Sequence, residues 1–402
     1  MLAGNLRVIE QPPLGREFSN ALRWLPSFAW QSLTRRLPRG RVHLIFALAD
    51  HFEPSYLPGR GGVRAPYDEQ ERRMERWCRE YPQLLGEWRD HEGRPLTHTY
   101  FFPAEQYDRA HLDRLAELCH AGWGEVEVHL HHGAQHPDTA ENTRRQLVEF
   151  RDLLVTRHRC LSYLDDSLTA RYAFVHGNFA LANSAGGRAC GVDSEMQILA
   201  ETGCYADLTL PTGAFHPAQT AKINSLHECA LPLDQAAPHR RGHDLRVTRR
   251  PTIFPLILQG PLLLDFTRSP RSRFCRVENG AITAPNPPTL HRLRLWKRAA
   301  IAVHGRPDWL FIKLHCHSMD MGQQHCLVGE AMQTFLRDLV KGAEDRFEIL
   351  HFVTARELTN IILAACDGRE GNPGDYRDYR LKPTRAHSTG VTQSKSRAVL
   401  KA

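Results

Sequence analysis

Apolar runs that alternate with polar residues and turn polar at their carboxyl ends recur along this chain, and stretches of helical spacing follow them. In Glu125-Val-Glu-Val-His-Leu-His-His132, Glu127, His129 and His131 share one face of a predicted strand, while Val126, Val128 and Leu130 share the other, because successive strand side chains point to opposite faces. Trp309-Leu-Phe-Ile-Lys-Leu-His-Cys-His-Ser318 repeats the design, with Phe311, Lys313, His315 and His317 on one face and Leu310, Ile312, Leu314 and Cys316 on the other. A third run from Arg41 reads as a buried strand that ends in Asp50, His51 and Glu53 before Pro54.

Between these runs the pattern predicts an amphipathic helix over 68–90 with Met74, Trp77, Leu84 and Leu85 on its apolar side, a strand over 96–102, and a helix over 108–121. Asp138-Thr-Ala-Glu141 reads as a capping box that opens a helix carrying Leu147, Phe150 and Leu154. A strand over 171–178, a helix near 194–202 and a strand over 204–211 continue the order. Residues 212–300 loosen into Pro- and Gly-containing segments, with Glu278-Asn-Gly280 as a hairpin signal and a helix near 289–303; this stretch reads as a β-containing insertion. Regularity returns with a helix near 327–342, a strand over 347–353 and a capping box at Thr354-Ala-Arg-Glu357. Seven or so strand–helix units predict an α/β fold, an irregular (β/α)7-type barrel over 41–366 rather than an open doubly wound sheet. Residues 1–40 form an N-terminal extension, and 367–402 a surface segment ending in a basic disordered tail.

Composition narrows the function classes. With 402 residues and 42% hydrophobic content, the chain buries a large core. Its net charge of +7 sits at the ends: six arginines against Glu10 and Glu17 give residues 1–40 a surplus of four, and five Lys/Arg with no acid give residues 382–402 a surplus of five, which leaves the body at −2. A basic nucleic-acid footprint on the body is therefore disfavoured. Ten cysteines scattered singly, with no C-x-x-C pair, fit free thiols in a reducing compartment, and no ~18-residue apolar stretch or signal-peptide pattern appears. A cytoplasmic protein is expected. The segment Ala21–Arg36 mixes Trp24, Phe28 and Trp30 with arginines and suggests weak peripheral membrane contact, although Pro26 is expected to break it as a helix. No G-x-G-x-x-G follows a strand and no P-loop is present.

Neutral imidazoles two apart on a strand can converge on one divalent cation, and the polar residues gather at the strand ends where α/β sheets carry their active sites. In their order along the chain, the Asp-containing end of strand one, the histidine cluster ending strand three, the late strand ending in Leu-His and the closing Phe352-Val-Thr-x-x-Glu357 resemble the polysaccharide deacetylase (NodB-homology) superfamily. The resemblance covers about residues 41–366. It implies a distorted (β/α)7 barrel, one divalent metal held by an Asp and two His, and hydrolysis of the N-acetyl group of aminosugars. The chain departs from that pattern in three places: Asp50-His51 stands where the family has two adjacent Asp, the histidines are not spaced four apart except His132 and His136, and Arg171–Asn178 replaces the Arg-x-Pro-aromatic motif.

On this resemblance Asp50 is the base or a metal ligand, and His51, His129 and His131 hold the cation, zinc by expectation, with His132 as the alternative. His315 or His317 protonates the leaving amine. His176, Asn178, Glu195, Tyr205 and Asp207, at or beyond strand ends, are expected to line a carbohydrate site, or else to make ordinary loop hydrogen bonds. Glu53 is either a second base or a shaper of the loop before Pro54, and Tyr100 shares a face with His98 but equally suits the core. The leading expectation is a metal-dependent hydrolase of C–N (N-acetyl or amide) bonds in a carbohydrate. The alternatives are a non-catalytic glycan-binding or scaffold relative, and a metal-dependent phosphoesterase or amidohydrolase.

Overall fold

A computed structural model of the chain describes residues 14–58, 62–133, 136–164, 169–187, 189–267 and 275–384, with the backbone alone for 14–18. The strands are β1 (Val42–His51), β2 (His98–Pro103), β3 (Gly124–Leu130), β4 (Ser162–Leu164), β5 (Ala170–His176), β6 (Cys204–Asp207), β7 (Leu226–Cys229), β8 (Gly242–Asp244), β9 (Leu256–Leu258), β10 (Leu263–Asp265), β11 (Arg276–Glu278), β12 (Trp309–Cys316), β13 (Glu348–Val353) and β14 (Leu381–Pro383). The α-helices are α1 (Leu14–Thr34), α2 (Tyr67–Leu85), α3 (Arg109–Leu118), α4 (Ala140–Thr156), α5 (Glu195–Thr202), α6 (Leu290–Arg298), α7 (Met321–Val328), α8 (Glu330–Lys341) and α9 (Ala355–Cys366).

The near-continuous apolar run of β1 lies at the centre of a large sheet, as a strand buried on both faces must. It pairs in parallel with β12 along one edge, and along the other with β13 in its first half and β2 in its second. The order β12-β1-β2-β3-β5-β6-β9 is parallel throughout, and β7 and β8 extend it antiparallel. Among the described residues strand pairing does not close this sheet into a ring. The free edge of β12 is covered instead by 280–282: the His315 N–H donates to the Gly280 carbonyl and the Ile282 N–H to that of His315.

Period-two alternation splits the core in two. On the outer face Leu44, Phe46, Leu48, Tyr100, Phe102, Val126, Val128 and Leu130 pack under Met74 and Trp77 of α2, Leu112 and Leu115 of α3, and Leu147 and Phe150 of α4. On the inner face Ile45, Ala47, Ala49, Phe101, Ala173, Val175 and Phe311 pack against Leu358, Ile361 and Ile362 of α9 and against Trp24 and Phe28 of α1. Each fully buried large apolar side chain stabilises this arrangement by about 1.5–3 kcal/mol. Tyr100 is core, with no exposure. Every residue of α9 is buried, and the Thr354/Glu357 capping box opens it as expected.

Several expectations need correction. α1 runs unbroken through Pro26: an interior proline costs about 3 kcal/mol, and the burial of Ala21, Trp24 and Phe28 on either side of it offsets that cost. The predicted helix over 327–342 is two helices, α7 and α8, that meet at Gly329, where a Cβ would lie 2.2 Å from the His325 carbonyl oxygen. Asp138 is not the cap of α4. Thr139 is, its hydroxyl accepting the Asn142 N–H, which frees Asp138 for another partner. Asn279-Gly280 is not the hairpin turn, since β10 pairs β11 and the connection precedes Arg276. Within 212–300, β9 returns to the main sheet beside β6. The basic tail beyond Thr384 and the first thirteen residues lie outside the described residues.

Candidate metal centre

Alternation assigns the histidines to faces before any contact forms. His51 continues the inner row of Ile45, Ala47 and Ala49, while Asp50 continues the outer row of Phe46 and Leu48. At the carboxyl ends of β1, β3 and β12 the inner row brings imidazoles together. The His51 ring centroid lies 5.0 Å from that of His129, 4.7 Å from His317 and 6.1 Å from His315, and His129 and His131 are 4.7 Å apart.

Glu53 is the carboxylate of this group. Its Oε1 is 3.4 Å from His129 Nε2 and 3.5 Å from His131 Nε2. Ligand atoms of His51, Glu53 and His129 all lie within 4.8 Å of one another. Two donors each ~2.1 Å from a shared cation sit up to ~4.2 Å apart, so a small inward adjustment suffices.

The proton positions suit a cation as well. His129 Nδ1 is 2.7 Å from the Val175 carbonyl oxygen, and His131 Nδ1 is 2.7 Å from Glu105 Oε1. The Val175 carbonyl fixes the His129 N–H on Nδ1 and leaves its Nε2 lone pair for a cation; Glu105 anchors His131 in the same way, but the Nε2 proton that His131 shares with Glu53 must leave before this nitrogen can bind a metal. His51 Nδ1 is buried with no hydrogen-bond partner among the described residues. Such an orphan in a polar cluster is a cost that a bound cation would relieve. Gly177 makes room: a Cβ there would lie 2.3 Å from His131 Cδ2.

Electrostatics keep most of these rings neutral. Burial, reinforced by His317, His129, His315 and Lys313, holds His51 well below the usual imidazole range. Burial likewise lowers His129, outweighing the Glu53 carboxylate, and lowers His315 together with Lys313 and His317. Lys313, inside the sheet with Nζ 2.7 Å from the Leu208 carbonyl oxygen, is itself brought down to about 7 by burial. His131 is the exception: burial opposes its charge, but hydrogen bonds to Glu105 and Glu53 push it up to about 10. Burial would raise Glu53, yet the bonds to His129 and His131 hold it well below the carboxylate range. The centre is not sealed, since the side chains of His131 and Glu53 keep 18% and 23% exposure and His317 is half-buried. Phe179, 5.3 Å from His51, and Tyr56, 6.3 Å from His131, give it aromatic walls.

Asp50 is not in this group, which corrects its placement in one site with His51; its own neighbours are His98 and Cys316, and ligand atoms of these three lie within 4.8 Å of one another. It lies fully buried on the outer face, where Oδ2 meets His98 Nδ1 at 2.9 Å and Oδ1 accepts the Ser318 N–H at 2.9 Å. Neighbours in a strand point to opposite faces, so Asp50 and His51 cannot share a site. His132 lies apart from His51 and His129, in a second group with His176 and Glu195 whose ligand atoms also fall within 4.8 Å of one another. Its Nδ1 meets Asp138 at 2.8 Å and its Nε2 meets Glu195 at 2.9 Å, with His176 Nε2 3.9 Å from the same Glu195 oxygen.

That second group is a clamp. Glu195 Oε2 accepts the Ala182 N–H, and His176 Nδ1 accepts the Asn178 N–H, so the His176 proton is on Nε2 facing Glu195. His176 and Glu195 have no exposure and line no carbohydrate site. Two more expected lining residues are structural: Tyr205 donates to the buried Glu127, and Asp207 is saturated by the Thr209 hydroxyl and N–H. Asn178 Nδ2 and His176 Nε2 both lack a hydrogen-bond partner among the described residues.

Glu105 and Phe179 escaped the sequence reading. Both stand just past a strand end, Glu105 beyond Pro103 and Phe179 beyond His176, which was the signal available. No family model matches this chain, and no curated protein matches its sequence.

Proposed function

We propose that the chain is a divalent-metal-dependent hydrolase of N-acyl (C–N) bonds in a carbohydrate, built on an irregular (β/α) barrel left open beside β12. The observation that carries the reading is the convergence of His51, Glu53, His129 and His131 at the carboxyl ends of parallel strands, beside His315 and His317. Three imidazoles and one carboxylate suit a borderline-soft ion such as zinc. Bound there, the ion supplies Lewis acidity for an acyl oxygen and lowers the pKa of water toward ~7.

The side chains divide the remaining work. Glu53, whose charge is stabilised by two histidines, replaces Asp50 as the carboxylate ligand. His315, held neutral, takes the proton of the attacking water. His317, at the rim, gives a proton to the amine nitrogen as the C–N bond breaks. Phe179 and Tyr56 offer apolar ring faces to a sugar. Cysteines scattered singly along the chain are compatible with the reducing cytoplasm, and no described helix is long and apolar enough to cross a membrane.

The test is elemental analysis with an acetate-release assay on N-acetylated oligosaccharides. Wild type is expected to carry about one metal ion and His129→Ala almost none, while Glu53→Gln and His317→Gln each lose roughly a hundred- to thousandfold in kcat/KM. Equal metal in wild type and His129→Ala would sink the centre. A full metal complement with no acyl group released from any sugar would turn the reading to a glycan-binding relative of the same fold.

A further inference from the structure

α1 has two apolar sides, and the body uses only one. Ala21, Trp24 and Phe28 are buried, and the indole N–H of Trp24 donates to the Ala214 carbonyl at 3.1 Å. At 100° per residue, Leu22, Pro26, Ala29, Trp30 and Leu33 fall within an arc of about 100° on the opposite side. All five are exposed, Trp30 at 69% and Leu33 at 71%. Leu37, just beyond the helix, is exposed too.

Where this stripe ends, the surface turns cationic. Arg35, Arg36 and Arg298, with Leu37 and Leu263, line a cavity of about 320 Å³. Arg36 and Arg298 are exposed and pair with no acid among the described residues. Arg35 is anchored through the Ala299 carbonyl, and the acid whose field it feels, Asp244, is already paired with Lys222 at 2.5 Å. A row of Leu and Trp beside an unneutralised arginine pocket has the chemistry of an interfacial helix: apolar side chains enter the acyl boundary, the indole sits at headgroup depth, and guanidinium groups meet phosphate oxygens.

We infer that this face docks the protein on an anionic bilayer, with a lipid phosphate in the Arg35/Arg36/Arg298 pocket and Trp30 and Leu33 in the interface. The orientation is lateral, α1 lying in the membrane plane with its other side still on the body.

The test is co-sedimentation of the full chain with vesicles of phosphatidylglycerol and phosphatidylcholine, compared with phosphatidylcholine alone. Binding is expected only to the anionic vesicles and to fall as salt is raised. Arg36→Ala/Arg298→Ala is expected to weaken it about thirtyfold, and Trp30→Ser/Leu33→Ser to weaken it at least about tenfold, with unchanged thermal unfolding in both because the altered side chains are exposed. Three results would overturn the inference: vesicle binding equal in wild type and variants, inorganic phosphate taken up by the pocket with no vesicle binding, or a concentration-dependent dimer abolished by Trp30→Ser/Leu33→Ser, which would make a second copy the occupant.

Discussion

The two faces of the sheet hold the same ingredients, buried histidines beside carboxylates, and arrange them to opposite ends. On the outer face each carboxylate is saturated: Asp50 by His98 and the Ser318 N–H, and Glu195 by His132 and the Ala182 N–H. On the inner face His51 Nδ1 has no partner among the described residues, Glu53 contacts its histidines only at 3.4–3.5 Å, and both His131 and Glu53 are reachable by solvent. Tightly bonded carboxylates make the outer groups fasteners between elements, although His98 Nε2 and His176 Nε2 there also lack partners among the described residues, while a loosely held carboxylate open to solvent leaves the inner group with capacity for a cation. Burial of a histidine cluster therefore does not by itself mark a site. A loosely held carboxylate within reach of solvent is what sets the inner group apart.

The hardest blow to this contrast is Glu195→Gln. It leaves His132 without one of its two counter-charges in a dry environment and is expected to cost about 3–5 kcal/mol of unfolding free energy, with metal content per folded molecule unchanged; loss of metal would erase the distinction between the groups. A pH series sharpens it next. Glu195 and Asp138 overcome burial and raise His132 to about 9. A group raised above its unfolded value of ~6.5 contributes fully below that pH, and its contribution is lost as pH rises through about 9. Urea midpoints are accordingly expected to fall between pH 6.5 and 9.5 in wild type and to fall less in His132→Gln; equal slopes would discard the clamp. The smallest effect is expected from Glu105→Gln, which loosens the orientation of His131. Metal affinity should drop about 10–100-fold with little change in thermal stability, and a titration with unchanged affinity would remove Glu105 from the centre.

Alternation made half of this site readable in advance. It put His129 with His131, and His315 with His317, on single faces, and both pairs are found there. The same rule separates Asp50 from His51, yet the resemblance to an Asp-Asp enzyme drew them into one site. Glu53, Glu105 and Phe179 lie past strand ends, where no period constrains direction, so only their positions were legible. His132 follows β3 by two residues and had left the strand's alternation for the outer side, where Asp138, released from the cap of α4, was waiting.

The periodicity of the chain was sufficient to determine which faces are apolar, that strands and helices alternate, and which imidazoles share a face, because these follow from local backbone geometry repeated every two or 3.6 residues. Which strands become neighbours, which carboxylate reaches which imidazole, and which polar atoms stay unsatisfied were decided only when β1 took β12 on one edge and β2 and β13 on the other. Those outcomes depend on distances between residues as far apart in sequence as His51 and His317, and no local spacing encodes them.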